Sequence, residues 1–149
     1  VVDITVGKKR IKVMNVHLEA FDAETREQQA IAVNYHFEKY SDEIPVLLIG
    51  DFNSQPNWVN GADNAMQTIL TSGNISSAIG EKDYSENESK YYTFDTAEPY
   101  QMIDYILYNP SEVINIDSRV KQQTGQISDH FPVEMTFTFR EKIDSLIQE

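Results

Sequence analysis

Cysteine is absent from the 149 residues. No disulfide can staple this chain, no thiol can act as its nucleophile, and no thiolate can hold zinc. Long apolar runs are missing too, so nothing in the sequence reads as a membrane span. Basic residues are scarce: 12 Lys and Arg stand against 24 Asp and Glu, a formal net charge of −12. A broadly acidic surface repels extended duplex nucleic acid, whose binders usually neutralise phosphates with Lys and Arg. A polyanionic ligand would therefore need a local positive feature, first of all a bound cation. A start methionine is also lacking: Val1 opens directly on the strand-like "VVDITV", with no charged and apolar leader. The simplest expectation is a fragment whose upstream portion lies outside it, and the compartment is left unknown.

What is present suffices for a core. The length is that of one ordinary domain, and 40% of the residues are hydrophobic. "VVDITV" and "RIKVMNV" read as two strands around a Gly7-Lys8-Lys9 hairpin signal. A helix is expected from about Ala23 to Tyr40, with Asp22 or Thr25 as its cap and Ala30, Val33, Phe37 and Tyr40 at helical spacing. "IPVLLIGD" reads as a strand buried on both faces, "QPNWVNGADN" as a loop, and "AMQTILTSG" as a short helix ended by Gly73. Residues 80–90, polar and nearly free of aliphatics, are expected to form the most mobile surface loop. "QMIDYILYN", "VINIDS" and "FPVEMTFTF" complete the strands, Tyr91 and Tyr92 are read as strand residues, and the tail "REKIDSLIQE" as a short amphipathic helix. Strands alternating with helices predict a layered α/β or α+β sandwich.

Four strand ends carry chemically able residues: His17 in "NVHLEAF", Asp51 and Asn53 in "IGDFNS", Asp104 in "MIDYIL", and Asp129-His130 in "ISDHFPV". Each has a plain structural reading. His17 can satisfy a backbone carbonyl, Asp51-Phe52-Asn53 can be an Asx turn, and Asp129 can close a loop. Asp104 is harder to dismiss, because a carboxylate inside an apolar strand is costly unless paired or metal-bound. Taken together they are a working set. A histidine acting as base needs a carboxylate to fix its tautomer, and either Asp104 or Asp129 can serve. A hard cation such as Mg²⁺ accepts one or two carboxylates with waters, and a neutral amide can hold a water or a phosphate oxygen. Such a set suits phosphate-ester hydrolysis by positioning and charge neutralisation. His36, mid-helix, reads as structural or exposed, and Trp58 as a loop aromatic that either stacks on a ligand or tucks onto its own protein.

"NVHLEAFDAETREQQ", "IGDFNS", "QMIDYILYN" and "ISDHFPVEM", in this order, resemble the carboxyl-terminal half of the endonuclease/exonuclease/phosphatase superfamily, nearly the whole chain through about Phe139. The resemblance implies half of a four-layered DNase I-like sandwich, with a mixed, mostly antiparallel sheet flanked by helices. Residues 1–149 would be the carboxyl-terminal part of a single domain. It implies a metal-dependent phosphodiesterase or phosphatase using Mg²⁺, or Mn²⁺ in its place. In that reading Asp51 orients or activates water, Asn53 holds the water or the phosphate, and Asp51, Asn53 and Asp129 face the metal. His130, oriented by Asp104, acts as base or polarises the phosphate, and His17 contacts the scissile phosphate or protonates the leaving oxygen. The family's amino-terminal half brings an Asn and a Glu ligand without counterpart here, so a complete site would need that half. An uncovered sheet face would invite self-association. The substrates implied are a small phosphoester, a lipid headgroup or single-stranded nucleic acid. The rival expectation is a non-catalytic binding or scaffold domain, which would have no reason to keep all six polar residues at strand ends.

Overall fold

The computed structural model describes residues 1–141. The tail helix expected from residue 140 onward falls almost wholly outside them. A β-hairpin opens the chain, β1 (Val2–Val6) and β2 (Lys9–His17), turning at Gly7 with φ near 63°. Helix α1 (Ala23–Ser41) follows, capped by Asp22, whose carboxylate accepts the Thr25 N–H at 2.6 Å. The sequence left Asp22 and Thr25 as alternatives, and the two form one cap. Arg26, Ala30, Phe37 and Ser41 are buried along one stripe of α1, and Val33 and Tyr40 pack partly against the core.

The chain then enters β3 (Val46–Asp51), α2 (Asn64–Leu70), the short β4 (Ser76–Ser77), α3 (Glu81–Glu86), β5 (Asp104–Tyr108), β6 (Val113–Val120) and β7 (Val133–Phe139). Five strands form one sheet in the order β1-β2-β3-β5-β4, while β6 and β7 make a separate antiparallel pair. Strands β2 and β3 run parallel, joined by the α1 crossover, and the other three pairings of the main sheet are antiparallel. The result is a mixed sheet flanked by helices, as expected. No helix of the described residues is long and apolar enough to cross a membrane.

The core lies between this sheet and helices α1 and α2. Met14, Val46, Leu48, Tyr105 and Leu107 project from the strands toward Ala30, Phe37, Ala65, Met66 and Ile69. Asn109 locks the layers together. Fully buried, it donates to the Ser41 and Ile44 carbonyls at 2.7 and 2.9 Å and accepts the Val46 N–H at 2.8 Å. One side chain thus ties the end of α1 to the start of β3.

Three expectations are corrected. Strand β3 is not buried on both faces: Val46 and Leu48 are, but Leu47 and Ile49 are half-buried, because successive strand residues alternate faces and the helices cover only one. Residues 80–90 are not a bare loop. They fold into α3 and a 3₁₀ turn (Glu88–Tyr91), anchored by buried Tyr84; one well-placed aromatic outweighs the lack of aliphatics. Tyr91 lies in that turn and Tyr92 just after it, not in a strand. Trp58 is half-buried and meets Tyr84 edge-on at 6.2 Å, and His36 is exposed beside Tyr35.

Candidate active site

Register builds the site. His17 pairs with Asp51 across the β2–β3 ladder, and Asp51 pairs with Asp104 across β3–β5. Three neighbouring strands therefore end level, with an imidazole and two carboxylates in a row on one face of the sheet. Gly50, just before Asp51, makes the close strand approach possible. Its φ is near 134°, and a Cβ there would stand 1.9 Å from the Val16 carbonyl oxygen.

His130 arrives from the loop between β6 and β7 and is fastened there by the backbone. Phe131 N–H donates to the Thr93 carbonyl at 2.8 Å, and its side chain is buried. The His130 ring packs 4.8 Å from that of Phe94. Its Nδ1 meets Asp104 Oδ2 at 2.8 Å, and its Nε2 faces Asp51 Oδ2 at 3.8 Å. His17 Nε2 stands 3.5 Å from the same Asp51 oxygen. One carboxylate oxygen thus sits between two imidazoles.

Asn53 occupies the left-handed region, φ near 48°, an uncommon place for a non-glycine residue though one that Asn tolerates. Its N–H donates to Asp51 Oδ1 at 2.8 Å, and its side-chain amide donates to the Leu18 carbonyl at 2.9 Å. The Asx turn foreseen as the plain reading is therefore present, and it coexists with the site. Asp129 is exposed; its carboxylate accepts the Ser128 hydroxyl at 3.2 Å. His17, Asp51, Asn53, Asp104, Asp129 and His130 all line one open cleft of about 740 Å³.

Electrostatics separate the two members of the closest pair. Burial raises the Asp104 carboxyl above its ordinary value, and the hydrogen bonds from His130 and Thr93 offset only part of this. At His130 burial works against the charged ring. The hydrogen bond to Asp104, joined by the fields of Asp104, Asp51 and Asp129, outweighs it and raises the imidazole above 6.5. Among the described residues, Asp51, Asp104 and His130 form a cluster whose ligand atoms all lie within 4.8 Å of one another. Two carboxylate oxygens fit a hard divalent cation that keeps several waters.

Sequence reasoning missed the supports. Thr93, fully buried, accepts the Ile103 and Asp104 N–H groups at 3.0 and 3.2 Å and so fixes the start of β5. Arg26, on α1, donates to Asp63 through Nε and Nη2 at 2.9 and 2.6 Å and to the Glu19 carbonyl at 2.6 Å. Asp63 also accepts the Ser54 hydroxyl at 2.7 Å and caps α2 through the Ala65 N–H. The Tyr105 hydroxyl donates to the Ser54 carbonyl at 2.8 Å. The loop carrying Asn53 is thereby clamped from both sides. The one available signal was an arginine on the apolar stripe of α1, a position that demands a buried acid.

A mixed sheet presenting imidazoles, carboxylates and an amide at the ends of adjacent strands is the layout of a DNase I-like α/β protein. The chain belongs to the endonuclease/exonuclease/phosphatase family, whose model matches residues 2–130. Solved structures agree on the fold. A mannosyl-6-phosphatase of Bacteroides thetaiotaomicron is 18% identical at a TM-score of 0.69, over 89% of this chain and 53% of that one. D. rerio TDP2, complexed with single strand DNA product, is 18% identical at a TM-score of 0.69, over 91% and 59%. The human Nocturnin catalytic domain, with bound sulfate anion, is 19% identical at 0.63, over 89% and 47%. The chain spans about half the length of the first structures it matches. No curated protein sequence matches it significantly.

Proposed function

We propose that residues 1–149 form the carboxyl-terminal part of a single endonuclease/exonuclease/phosphatase domain and carry most of the groups by which it hydrolyses a phosphoester with a divalent metal. The observation that supports this is the level row of His17, Asp51 and Asp104 with His130 folded over it, all facing one cleft. A scaffold domain would have no physical reason to hold an imidazole against a half-buried carboxylate in an open cleft.

The roles follow from the atoms. Asp104 accepts the Nδ1–H of His130, which fixes the tautomer and leaves Nε2 facing Asp51 and the cleft. A water seated against Asp51 Oδ2 would pass a proton to that oxygen or to His130 Nε2 as its own oxygen attacks phosphorus. His17, on the other side of Asp51, would protonate the departing ester oxygen. Asn53, with one amide N–H committed to Leu18, would hold the water or a phosphate oxygen with the rest of its carboxamide. Asp51 and Asp104 would hold a Mg²⁺ or Mn²⁺ ion, with Asp129 and Asn53 on the same cleft wall to hydrogen-bond its waters. Such an ion, when bound, supplies charge neutralisation at the phosphate in an acidic cleft. The open sheet face would be covered by the family's other half, or otherwise by self-association. The substrate would be a small phosphoester, a lipid headgroup or a single strand, with extended duplex disfavoured by the charge.

The test compares Mg²⁺- and Mn²⁺-dependent hydrolysis of bis(4-nitrophenyl) phosphate and 4-nitrophenyl phosphate in the segment and in the domain-length protein. Asp51→Asn and His130→Ala should each cost at least ~100-fold in kcat, the usual scale of a lost acid–base group, with little change in Tm. Turnover within a few-fold of the parent in either variant would refute the mechanism. Mn²⁺ should broaden the NMR signals of Asp51, Asp104 and His130 first, and broadening centred elsewhere would refute the ligand assignment.

A further inference from the structure

The histidine assigned to the leaving oxygen sits where the sheet stops holding it. Among the described residues the His17 ring has one polar contact, the approach of its Nε2 to Asp51 at 3.5 Å, too long for a firm hydrogen bond. Its place is therefore set by the backbone that carries it. The β2–β3 pairing ends at His17 and Asp51. One further bond, from the Leu18 N–H to the Asp51 carbonyl at 2.9 Å, is the last that the neighbouring strand supplies.

From there side chains take over. The Leu18 carbonyl accepts the Asn53 amide at 2.9 Å. The Glu19 N–H donates to Gln29 Oε1 at 2.7 Å, and the Glu19 carbonyl accepts Arg26 Nη1 at 2.6 Å. Both backbone groups of one residue are thus held by two side chains of α1, spaced i and i+3 and so on one face of the helix. Helical side chains lean toward the N-terminus, which is where the segment after His17 enters α1. Arg26 is itself fixed, buried and bonded twice to Asp63, the cap of α2. Joining β2 to α1 does not require this fastening, because Asp22 already starts the helix.

We propose that Gln29 and Arg26 are positioning residues for His17: by fixing the backbone of Glu19 they hold the imidazole where it hands its proton to the departing ester oxygen. As the P–O ester bond breaks, its electron pair goes to that oxygen, which takes the ring proton. The proposal rests on the reading of the cleft as a phosphoester site with His17 as its acid, and it adds the residues that aim the acid. Gln29 touches no reacting atom and acts only through the backbone.

The experiment exploits the leaving group. Phenol departs poorly without a proton, whereas 4-nitrophenolate departs without one. Turnover of the phenyl and 4-nitrophenyl esters, as monoesters and as symmetric diesters, is compared in the domain-length protein with Mg²⁺. Gln29 is half-buried, so its variants keep the core, while an Arg26 variant would strand Asp63. Gln29→Ala should lower the phenyl-to-4-nitrophenyl ratio of kcat about tenfold, part of the ~100-fold that a positioned acid supplies. Gln29→Glu keeps an acceptor oxygen at the same reach and should restore the ratio. In a His17→Ala background, Gln29→Ala should change the ratio by less than about twofold, because its effect passes through that ring. An equal loss on both esters, no loss, or a full effect in the His17→Ala background would overturn the proposal. Where the parent hydrolyses none of the esters, the catalytic reading fails and the clamp is judged by hydrogen exchange. The Glu19 amide should then exchange about tenfold faster in Gln29→Ala than in the parent, and unchanged exchange would overturn the clamp as well.

Discussion

Replacing Gly50 by alanine tests how the site is held, because three glycines separate the contributions. At Gly50 an added Cβ meets the Val16 carbonyl oxygen at 1.9 Å, its carbon at 3.0 Å and Asn15 Oδ1 at 3.1 Å. Real Cβ contacts essentially never fall under 3.0 Å, so strands β2 and β3 must part by roughly 1.1 Å, the gap between 1.9 and 3.0 Å. That displacement falls between the Asn15–Ile49 and His17–Asp51 pairs and removes about two ladder hydrogen bonds, at ~1 kcal/mol each. The positive φ at Gly50 adds about 1–2 kcal/mol once a side chain is present. The expected loss is about 3–4 kcal/mol, which at a urea slope of about 2 kcal/mol per molar moves the midpoint down by about 1.5–2 M. Gly61→Ala, at φ near 82° with open space around it, should show the dihedral cost alone. Gly73→Ala, with open space and no positive φ, should be close to neutral. Where Gly50→Ala remains folded, Asp51 shifts with its strand and turnover should fall about 100-fold, the usual consequence of a 1 Å misplacement. A loss under ~1 kcal/mol, or one no greater than that of Gly61→Ala, would refute the claim that the close β2–β3 approach needs a bare backbone.

Asn109→Ala leaves the Ser41 and Ile44 carbonyls and the Val46 N–H without their buried partner. It should cost about 2–4 kcal/mol in urea unfolding, and a loss below ~1 kcal/mol would show that the α1–β3 junction is held by packing alone. In metal-free protein the His130 ring protons should titrate above 6.5, and Asp104→Asn should move that midpoint down. Because the folded state then binds its proton more tightly than the unfolded chain, the stability contributed is full below 6.5 and is lost as pH rises through the raised folded-state value. A His130 titration at or below 6.5, or one indifferent to Asp104→Asn, would contradict the pairing.

The six polar residues were legible in the sequence because each interrupts or ends an apolar run, and the structure brings all six to one cleft. Helix α1 was legible through its cap and stripe. Other features depended on distant partners. Nothing local shows that Asp63 waits for Arg26, 37 residues away, or that Thr93 fixes Asp104. The half-open character of β3 was hidden because "VLLIG" reads alike whether one face or both are covered. The error over residues 80–90 came from counting aliphatics where Tyr84 alone supplies the anchor. The proximity of Asp104 to Asp51 is a property of register, and register is written in the pairing of strands far apart in the chain.

That register has a consequence for how such a protein can change. His17, Asp51 and Asp104 lie on separate strands, so the segments joining them can gain or lose residues without disturbing the row. Within the strands there is no such latitude. Inserting or deleting one residue in β3 between Val46 and Asp51 would turn the carboxylate to the helix side and bring the apolar set to the cleft. Tolerance to length variation should therefore be generous in the loops and abruptly absent in a few central positions, a contrast that an insertion scan would read directly.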